Sequence, residues 1–549
     1  MTLATTQDRA PAVRQWRRLT LSSEVMIILV CLWFVVTCNG SFWESVQRAQ
    51  VSTTLAIALG VALFALHAFL IGLIAWGRAA RPVLATLLIT TAIATWYMDR
   101  YAVVFDTDMI RNIAQTDPAE TREMLSVGLM IHVTLLGLLP AAALCFIEPA
   151  QLSLRQQVHA RLPFLLAMLL LAVGALLPVS QGVFSLMRTD TLLRYRITPG
   201  NYVVSGLRAL MQSNATVTTG DRRPIATDAV QSDTAASRRP RLLVLVVGET
   251  VRGDHWGLNG YERQTTPRLA LREGLVNFPD VSACGTSTAV SLPCMFSPLG
   301  REHYDHATVS SQQSLLDVLA RVGIAVLWRD NQAGCKGVCD GVTLQEMPPA
   351  PNSSLCRDGR CLDEVLLQGL PEIISGTASD QLLVLHMLGN HGPNYFERYP
   401  PTSEHFTPTC RSADLSRCGR NEITNAYDNA VRYTDEVLDR LIDLLAVERD
   451  RDVAMLYLSD HGESLGEYGL YLHGAPYHLA PRAQLHVPMT LWMSPSFEAN
   501  AGIDTACLRN AAREPISHDY LYSTVLGIFD VRTSTYTKAR DVLDACRQT

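Results

Sequence analysis

Residues 241–250 read RLLVLVVGET, and this stretch decides the fold of the second half of the chain. Six apolar residues in a row, 242–247, are followed at once by Gly248 and the carboxylate of Glu249. A short apolar run of this kind is typical of a strand that is buried on both faces. Because similar runs alternate with helical patterns, the sequence predicts a mostly parallel sheet with helices on both faces. The other expected strands are IAVLW (324–328), QLLVLHML (381–388), VAMLYL (453–458) and VPMTLWM (487–493).

Acidic and imidazole side chains follow several of these strands where each strand ends. Glu249 follows the first strand, His391 lies in GNHGP, and Asp460 and His461 lie in SDHGE. Ligands of open α/β sheets bind beyond the carboxyl ends of the strands, so these side chains should converge. Carboxylate and imidazole ligands suit zinc, with manganese as the alternative, and three of them leave one position for a reacting group. Further candidates, each with an ordinary core or surface role as the alternative, are His386, His391 and His473.

Three hydroxyl residues, Thr286, Ser287 and Thr288, stand between two cysteines in CGTSTAVSLPC (284–294). A threonine hydroxyl is a weak nucleophile at neutral pH, but a divalent cation bound to its oxygen lowers its pKa. The segment can begin a helix at Ser287 or Thr288, and a helix N-terminus attracts phosphate oxygens. We therefore expect a metal-activated hydroxyl here, with simple capping of the helix as the alternative.

The first third of the chain has the composition of a membrane domain. Five apolar stretches each approach the ~20 residues that a helix needs to cross the hydrocarbon core. They cover residues 25–43, 52–76, 82–98, 124–147 and 162–184. The first could be read as a signal peptide, but four further spans and the lack of an obvious cleavage site favour an uncleaved helix.

Arginines set the expected orientation of these helices. The N-terminal arm and the loops after the second and fourth stretches are richer in arginine than the alternate loops. The positive-inside rule places the arginine-rich segments in the cytoplasm. An odd number of spans then delivers everything after about residue 185 to the opposite side of the membrane.

The cysteines agree with an oxidising location for the second part. Three cysteines lie in the membrane part, and the other ten lie after residue 280, an even number that is typical of disulfides. We expect close neighbours to pair, although spacing leaves other connectivities open and CKGVC has half of a zinc site as its alternative. The expected pairs are Cys284–Cys294, Cys335–Cys339, Cys356–Cys361 and Cys410–Cys418, with Cys507–Cys546 left over.

These observations divide the chain into three expected segments. Residues 1–185 form a membrane domain, 186–240 an amphipathic connection with a polar linker, and 241–549 a catalytic domain. The net charge of −6, without a basic stripe, excludes nucleic acid as a partner.

The longest motifs resemble the phosphoethanolamine transferases that modify lipid A, including the mobile polymyxin-resistance enzymes. These motifs are GETVRGDHWGLNGYERQTTP, CGTSTAVSLPCMFS, GNHGP and SDHGESLGEYGLYLHG. The resemblance covers nearly the whole chain and implies five membrane helices followed by an α/β/α sandwich of the alkaline-phosphatase/sulfatase type. It also implies a multi-pass protein of the bacterial inner membrane, with a cytoplasmic N-terminus and a periplasmic catalytic domain. We expect it to act as a monomer among membrane lipids.

The resemblance implies that Thr288, rather than Thr286, is the nucleophile and that Glu249, Asp460 and His461 bind zinc together with it. Thr288 would take phosphoethanolamine from phosphatidylethanolamine and pass it to a phosphate of lipid A. This transfer would lower the negative charge of the surface and confer resistance to polymyxin. The positions that the resemblance associates with substrate phosphate or a second zinc ion are Lys336, His386, His391 and His473.

Asn112, Thr116 and Glu120 in NIAQTDPAE are spaced by four residues, which would align them on one face of a helix. The resemblance implies that they hold the ethanolamine end of the donor lipid, with Glu120 facing its ammonium group. Pro118 lies inside this spacing and can break the helix. The alternative is an exposed polar loop.

Three other activities stay open. The first is a related membrane-anchored transferase that acts on core sugars, glucans or a glycerophosphate polymer. The second is a zinc phosphodiesterase or sulfatase that passes the intermediate to water, although Thr288 cannot become the formylglycine of sulfatases. The third is a non-catalytic receptor that retains the fold, which the intact set of Glu249, Thr288, Asp460 and His461 disfavours.

Overall fold

The computed structural model describes residues 19–150, 152–213, 222–232, 238–347, 354–357 and 359–548. Four helical segments of this part of the chain are long and apolar enough to cross a membrane: Thr53–Ile74, Gly77–Tyr101, Val127–Cys145 and Leu154–Thr189. The bent pair Ser23–Thr37 and Gly40–Arg48, whose helices meet at 52°, makes a fifth if it is counted as one span. The arginines of the N-terminal arm, on which the expected orientation depends, lie outside the described residues.

The helices of the first part owe their boundaries to local capping and their exposed faces to lipid. Helix α9 begins with a capping box, in which Ser153 and Gln156 satisfy each other's backbone N–H groups. Leu162, Leu166 and Leu170 on this helix are more than half exposed, as a face that meets lipid should be. The helices are α1 (Ser23–Thr37), α2 (Gly40–Arg48), α3 (Thr53–Ile74), α4 (Ala80–Tyr101), α5 (Thr107–Ala114), α6 (Pro118–Glu123), α7 (Val127–Val133), α8 (Leu139–Cys145), α9 (Leu154–Leu176), α10 (Ser180–Thr189) and α11 (Gly200–Ser213).

The chain packs into two compact units that are not continuous in sequence. One unit comprises Met1–Trp96 with Leu129–Gly200, and the other comprises Tyr97–Gly128 with Asn201–Thr549. The boundaries of these two units differ from those of the three segments expected from the sequence. Its main consequence is that residues 97–128, which lie between two membrane helices along the chain, pack with the C-terminal unit.

The C-terminal unit is built on an eight-stranded sheet with the order β8-β2-β7-β6-β1-β5-β3-β4. Strands β6, β1, β5, β3 and β4 are parallel, and β7 is antiparallel to both of its neighbours. All five strands expected from the sequence are present. Three strands of the sheet were not expected: β2, which contains Pro279 and Asp280, and the short edge strands β4 and β8. The strands are β1 (Arg241–Gly248), β2 (Leu275–Ser282), β3 (Ala325–Asp330), β4 (Thr343–Glu346), β5 (Gln381–His386), β6 (Asp452–Ser459), β7 (His486–Met493) and β8 (Ile516–Ser517).

Helices cover both faces of this sheet. Leu243 and Leu245 of β1 belong to one hydrophobic core cluster, whereas Leu242 and Val244 belong to another, so the strand is buried on both sides. The expected α/β/α sandwich is therefore confirmed. The covering helices are α12 (Thr288–Met295), α13 (His306–Ser310), α14 (Leu315–Arg321), α15 (Leu370–Ser375), α16 (Arg420–Ala446), α17 (Arg482–Leu485), α18 (Pro495–Ala501), α19 (Thr505–Ala511) and α20 (Asp519–Ile528).

The described residues 222–232, in the polar segment before the sheet, contact the fold that contains the sheet. Val230–Gln231 pairs antiparallel with Val531–Arg532, and Ala226 is buried in the core beside the sheet. Ala226 is therefore anchored in the core, while Arg223, Asp228 and Val230 stay exposed, as expected of a linker.

Candidate metal and nucleophile site

Four polar side chains meet where the parallel strands end. Glu249 follows β1, Asp460 and His461 follow the neighbouring strand β6, and Thr288 begins α12; all four are buried. The Thr288 hydroxyl donates a hydrogen bond of 2.9 Å to Glu249 Oε2 and lies 3.4 Å from His461 Nε2. His461 Nε2 also lies 3.3 Å from Glu249 Oε1 and 3.3 Å from Asp460 Oδ2. Oxygen and nitrogen atoms of three strand-end residues therefore surround one small volume.

The donor atoms are close enough together to hold one metal ion. One ligand atom each from Glu249, Asp460 and His461 lies within 4.8 Å of the other two. Zinc–ligand distances of about 2.0 Å place tetrahedral ligands about 3.3 Å apart, which matches the spacing around His461 Nε2. Among the described residues, the buried atoms Glu249 Oε1 and Asp460 Oδ2 have no hydrogen-bond partner. Because buried carboxylate oxygens without donors are costly, a cation bound between these oxygens would stabilise the cluster.

The electrostatics of the cluster also favour a cation. Burial raises the pKa of Asp460 to about 7, and the neighbouring charge of Glu249 adds to this shift. Burial alone would lower the pKa of His461, but the carboxylates of Asp460 and Glu249 outweigh burial and raise it to about 10. His461 in turn holds the pKa of Glu249 well below its usual range, against the effect of burial. The site therefore concentrates negative charge that a proton or a metal ion must balance.

Local contacts decide which of the three clustered hydroxyl groups faces this volume. Ser287 is the N-cap position of α12, but its side chain makes no capping hydrogen bond. Thr286 donates instead to the carbonyl of Ala475 at 2.7 Å, and the Thr286 carbonyl accepts from Gly474. Thr288 is thus the hydroxyl residue of the loop that contacts Glu249.

Neighbouring segments pack closely against the backbone around Glu249. Thr250 has a φ of 55°, a left-handed conformation that side chains rarely adopt, and its N–H donates to Asp460 at 3.2 Å. The Tyr427 hydroxyl holds the Thr250 carbonyl at 2.6 Å. Gly389 also has a positive φ, and a Cβ atom there would lie 2.6 Å from the Glu249 carbonyl oxygen. The first glycine of GNHGP is therefore required by close packing against the backbone of Glu249.

The expected outer histidines form part of a ring around the cluster. The ring centroid of His473 lies 4.5 Å from that of His461 and 5.3 Å from that of His391. His391 Nε2 is 3.2 Å from Glu120, and His473 Nδ1 is 3.1 Å from Glu463. His473 therefore lies next to the ligand candidate His461, and His391 lies next to His473.

His386 and Lys336 have different surroundings. His386 Nδ1 lies 2.6 Å from Asp330, and its buried Nε2 has no partner among the described residues. Lys336 Nζ donates to the carbonyl oxygens of Ala333 and Gln115, at 3.0 and 3.3 Å. Gln115 lies in the turn between α5 and α6, so this turn is next to Lys336.

The expected lipid-binding face does not form one helix. Helix α5 ends at Ala114, and Pro118 is the first residue of α6, which agrees with the expected break. Thr116, in the turn, donates to the Asn112 carbonyl at 2.9 Å. Glu120 is buried and is the one of the three whose carboxylate reaches His391.

Three residues near the site were not expected from the sequence. Gln332 donates to Glu249 Oε2 at 2.9 Å, and it follows β3, so the strand-end argument applied to β3 would have found it. Glu463 orients His473 from within the quoted SDHGE segment. His518 accepts from the N–H of Cys284 at 3.1 Å and donates to the carbonyl of Ser459 at 3.0 Å. Nothing in the local sequence around His518 indicated this bridge.

Disulfides join all the cysteines of the C-terminal unit in neighbouring pairs. CKGVC forms a disulfide and not half of a zinc site. The pairs are Cys284–Cys294, Cys335–Cys339, Cys356–Cys361, Cys410–Cys418 and Cys507–Cys546.

Comparison with known proteins identifies the family. A family model described as phosphoethanolamine transferase EptA/EptB matches residues 63–213, and a sulfatase model matches residues 241–531. The phosphoethanolamine transferase EptA of Escherichia coli (strain K12) is 36% identical over 545 residues, which cover 97% of this chain and 99% of the relative. The chain belongs to the phosphoethanolamine transferase family.

Two further relatives extend this result. The phosphatidylethanolamine transferase Mcr-1 of Escherichia coli is 36% identical over 539 residues, covering 96% of this chain and 98% of its own length. The structure of the integral membrane lipooligosaccharide phosphoethanolamine transferase A of Neisseria meningitidis matches with a TM-score of 0.90 at 36% identity, covering 97% of this chain and 100% of that one. The similarity spans both the apolar helices and the α/β fold.

Proposed function

We propose that this member of the phosphoethanolamine transferase family moves phosphoethanolamine from phosphatidylethanolamine to a phosphate of lipid A. The observation that carries the proposal is the 2.9 Å contact between the Thr288 hydroxyl and Glu249, within the metal-binding cluster. A relative named for phosphatidylethanolamine and another named for lipooligosaccharide support the two substrate classes.

In the first half of the reaction, Thr288 is the nucleophile. A zinc ion bound by Glu249, Asp460 and His461 would supply Lewis-acid chemistry that lowers the pKa of the Thr288 hydroxyl. Glu249 orients this hydroxyl through its hydrogen bond. Oγ1 forms a bond to the phosphorus of phosphatidylethanolamine, the bond from phosphorus to the glycerol oxygen breaks, and diacylglycerol leaves with a proton.

In the second half, lipid A takes the group from Thr288. A phosphate hydroxyl of lipid A loses its proton and attacks the phosphorus of phosphoethanolamine–threonine. The bond from phosphorus to Oγ1 breaks, and Oγ1 takes up a proton, which restores the Thr288 hydroxyl. His391 and His473 are assigned to the substrate phosphate, because both rings lie beside the cluster and each is oriented by a carboxylate. The backbone N–H groups at the start of α12 add donors for the phosphate oxygens.

The donor head group is assigned to the segment around Glu120. The Glu120 carboxylate is buried next to His391. The turn between α5 and α6 contacts Lys336 through the carbonyl of Gln115. A carboxylate in this position attracts the ammonium end of ethanolamine while the phosphate lies near the histidines. Asn112 and Thr116 complete the proposed head-group site.

Membrane anchoring suits a reaction between two lipids. Both substrates and the enzyme share one surface, which raises their effective concentration. The proposed location is the bacterial inner membrane with the catalytic unit in the periplasm, where its disulfides are stable. Each transfer adds an ammonium group beside an anionic phosphate, which weakens electrostatic binding of cationic peptides such as polymyxin.

Mass spectrometry of lipid A from cells expressing matched variants tests the proposal. Wild type and Thr286→Val should add a mass equal to phosphoethanolamine, and Thr288→Ala should add none. Thr286 is the matched control, since its hydroxyl contacts the Ala475 carbonyl and not Glu249. Modification that persists in Thr288→Ala would remove this residue from its role. Addition only to core sugars would select another acceptor, and diacylglycerol release without any lipid product would indicate a hydrolase.

A further inference from the structure

A cavity of about 430 Å³ lies in the C-terminal unit beside α6, and the proposed reaction does not use it. Its volume is within the range of ordinary ligand sites. Five arginines and three glutamates line it, together with Phe396 and Tyr399, so cationic groups outnumber anionic ones. The arginines are Arg122, Arg357, Arg360, Arg398 and Arg411.

Two of these arginines are held in fixed positions by one carboxylate. Arg360 Nε lies 3.3 Å from Glu123, and Arg398 also forms an ion pair with Glu123. Asp117 binds Arg360 from the side at 3.0 Å. Guanidinium groups that are already oriented lose little side-chain entropy when they bind an anion.

The two outer arginines, Arg122 and Arg411, are exposed to solvent. Arg122 is exposed and has no ion-pair partner among the residues that the structure describes. Arg411 pairs with Glu404, but its side chain is 60% exposed. Planar guanidinium groups on several sides of one cavity suit the bidentate recognition of a phosphate.

Helix α6 connects this cavity with the reaction site. Ala119, Arg122 and Glu123 lie three and four residues apart and line the cavity, whereas Glu120 points to His391. Arg398 makes a second connection, because its Nε donates to the His391 carbonyl at 2.7 Å. The cavity and His391 are therefore connected both through α6 and through Arg398.

We propose that the cavity binds a phosphate group of the acceptor lipid other than the phosphate that receives phosphoethanolamine. This inference rests on the proposed function. Phosphatidylethanolamine carries one phosphate, which must reach Thr288, and one ammonium group, which the arginines repel. An acceptor with a second phosphate gains an interaction that the donor cannot make, so the cavity selects acceptor over donor.

Paired charge-neutralising variants test this site in full-length protein in detergent micelles. Arg122→Gln combined with Arg411→Gln removes the two outer charges, and Arg417→Gln combined with Arg420→Gln removes two exposed charges that do not line the cavity. The cavity variant should release diacylglycerol from phosphatidylethanolamine within two-fold of the wild-type rate. Its KM for lipid A with two phosphates should rise about ten-fold, with kcat within two-fold, and the control pair should change neither.

Substrate variants separate the sources of the phosphate. For lipid A that lacks one phosphate, wild type should show the same raised KM, and the cavity variant should raise it no further. An unchanged KM for lipid A with two phosphates overturns the proposal. If the cavity variant changes only inhibition by inorganic phosphate, the cavity binds the free ion and the assignment to the acceptor is wrong.

Failure of the proposed function would appear differently. Wild type would then release no diacylglycerol at all. In that case, direct binding of lipid A to full-length Thr288→Ala protein, with and without the cavity substitutions, still decides the inference. Equal affinities would refute it, and a roughly ten-fold weaker affinity of the cavity variant would support it.

Discussion

The cluster of side chains at the strand ends and the segment that covers it are built in different ways. Glu249 and Asp460 follow the neighbouring parallel strands β1 and β6, which are in register along eight residue pairs. Glu120 belongs to residues 97–128, which lie between two membrane helices along the chain and pack with the C-terminal unit. The first region is positioned by a continuous backbone ladder, and the second by individual side-chain pairs.

The two kinds of contact differ in how accurately they hold atoms and in how strongly they respond to pH and bound ions. Backbone ladders hold atoms within the few tenths of an ångström that metal coordination needs. Ion pairs such as those of Glu120 with His391 and of Asp117 with Arg360 depend on protonation and on bound ions. In the proposed reaction, the sheet therefore suits the transfer chemistry, and the covering segment suits recognition of the donor lipid.

The largest expected effect comes from a change within the strand-end cluster. Glu249→Gln keeps the shape of the side chain but removes a charged ligand, so bound zinc should be lost and transfer should fall about 1,000-fold, or ~4 kcal/mol in activation free energy. Zinc content per chain and phosphoethanolamine transfer measure the two outcomes. Glu467→Gln is the control, because Glu467 pairs with Arg252 at 2.7 Å and is not in the cluster. Full zinc occupancy in Glu249→Gln would contradict the assigned ligand set.

A smaller effect is expected in the covering segment, at the pair of Glu120 and His391. Burial would raise the pKa of Glu120, but His391 lowers it to about 2. Burial would lower the pKa of His391, but Glu120 raises it to about 9, so both groups are charged at pH 7. Glu120→Gln and His391→Gln should each lower transfer about 100-fold, and a double-mutant cycle should give a coupling of about 1–3 kcal/mol.

The pH dependence of this pair has a defined sign in metal-free protein. His391 has a raised pKa in the folded state, so its contribution to stability is complete below about 6.5 and is lost as pH rises through about 9. Melting temperatures of wild type and Glu120→Gln should therefore differ at pH 6 and converge above about pH 9. Additive effects of the two substitutions on transfer would show that Glu120 and His391 act separately.

The same contrast explains how much the sequence could predict. Apolar runs that are followed by Glu249 and Asp460 predict both the strands and the cluster at their ends. Neighbouring parallel strands bring their carboxyl ends together independently of the loop sequences. Glu120 could be placed only by resemblance, since its contact with His391 joins residues that no local pattern relates. Strand β2 was missed because Pro279 and Asp280 interrupt its alternation. His518 was missed because both of its contacts are with backbone atoms of distant segments.

Substitution of His518, next to the strand-end cluster, is expected to have a moderate effect on kcat. It bridges the N–H of Cys284 and the carbonyl of Ser459, and so connects the Thr288 loop to β6. His518→Ala should lower kcat about 10-fold with little change in KM, because the nucleophile is placed less accurately. His518→Gln, which keeps a donor and an acceptor, should restore part of kcat. His486→Gln is the control, since His486 bonds the Pro279 carbonyl away from the nucleophile loop.

The acid stability of His518 variants separates this role from a general packing role. Burial lowers the pKa of His518 to about 3, so wild type loses stability as pH falls from about 6.5 towards 3. Melting temperatures of His518→Gln should fall less over this range. A loss of kcat in His518→Ala that His518→Gln does not reduce would show that volume, rather than the two hydrogen bonds, is what matters.

The smallest expected effect on activity comes from removing a disulfide, and two disulfides of the C-terminal unit should differ in this respect. Cys284–Cys294 closes a separation of 10 residues around Thr288, and Cys507–Cys546 closes one of 39 residues far along the chain. Loop-closure entropy predicts that their removal costs about 3 and about 4 kcal/mol of unfolding free energy. Replacing both cysteines of each pair with serine should therefore lower stability more at the second site. Transfer should fall about three-fold only at the first, because only that loop positions the nucleophile. Initial rates at a temperature where both variants stay folded measure this, and equal rates in the two variants would mean that β1, β6 and α12 hold Thr288 in place without the disulfide.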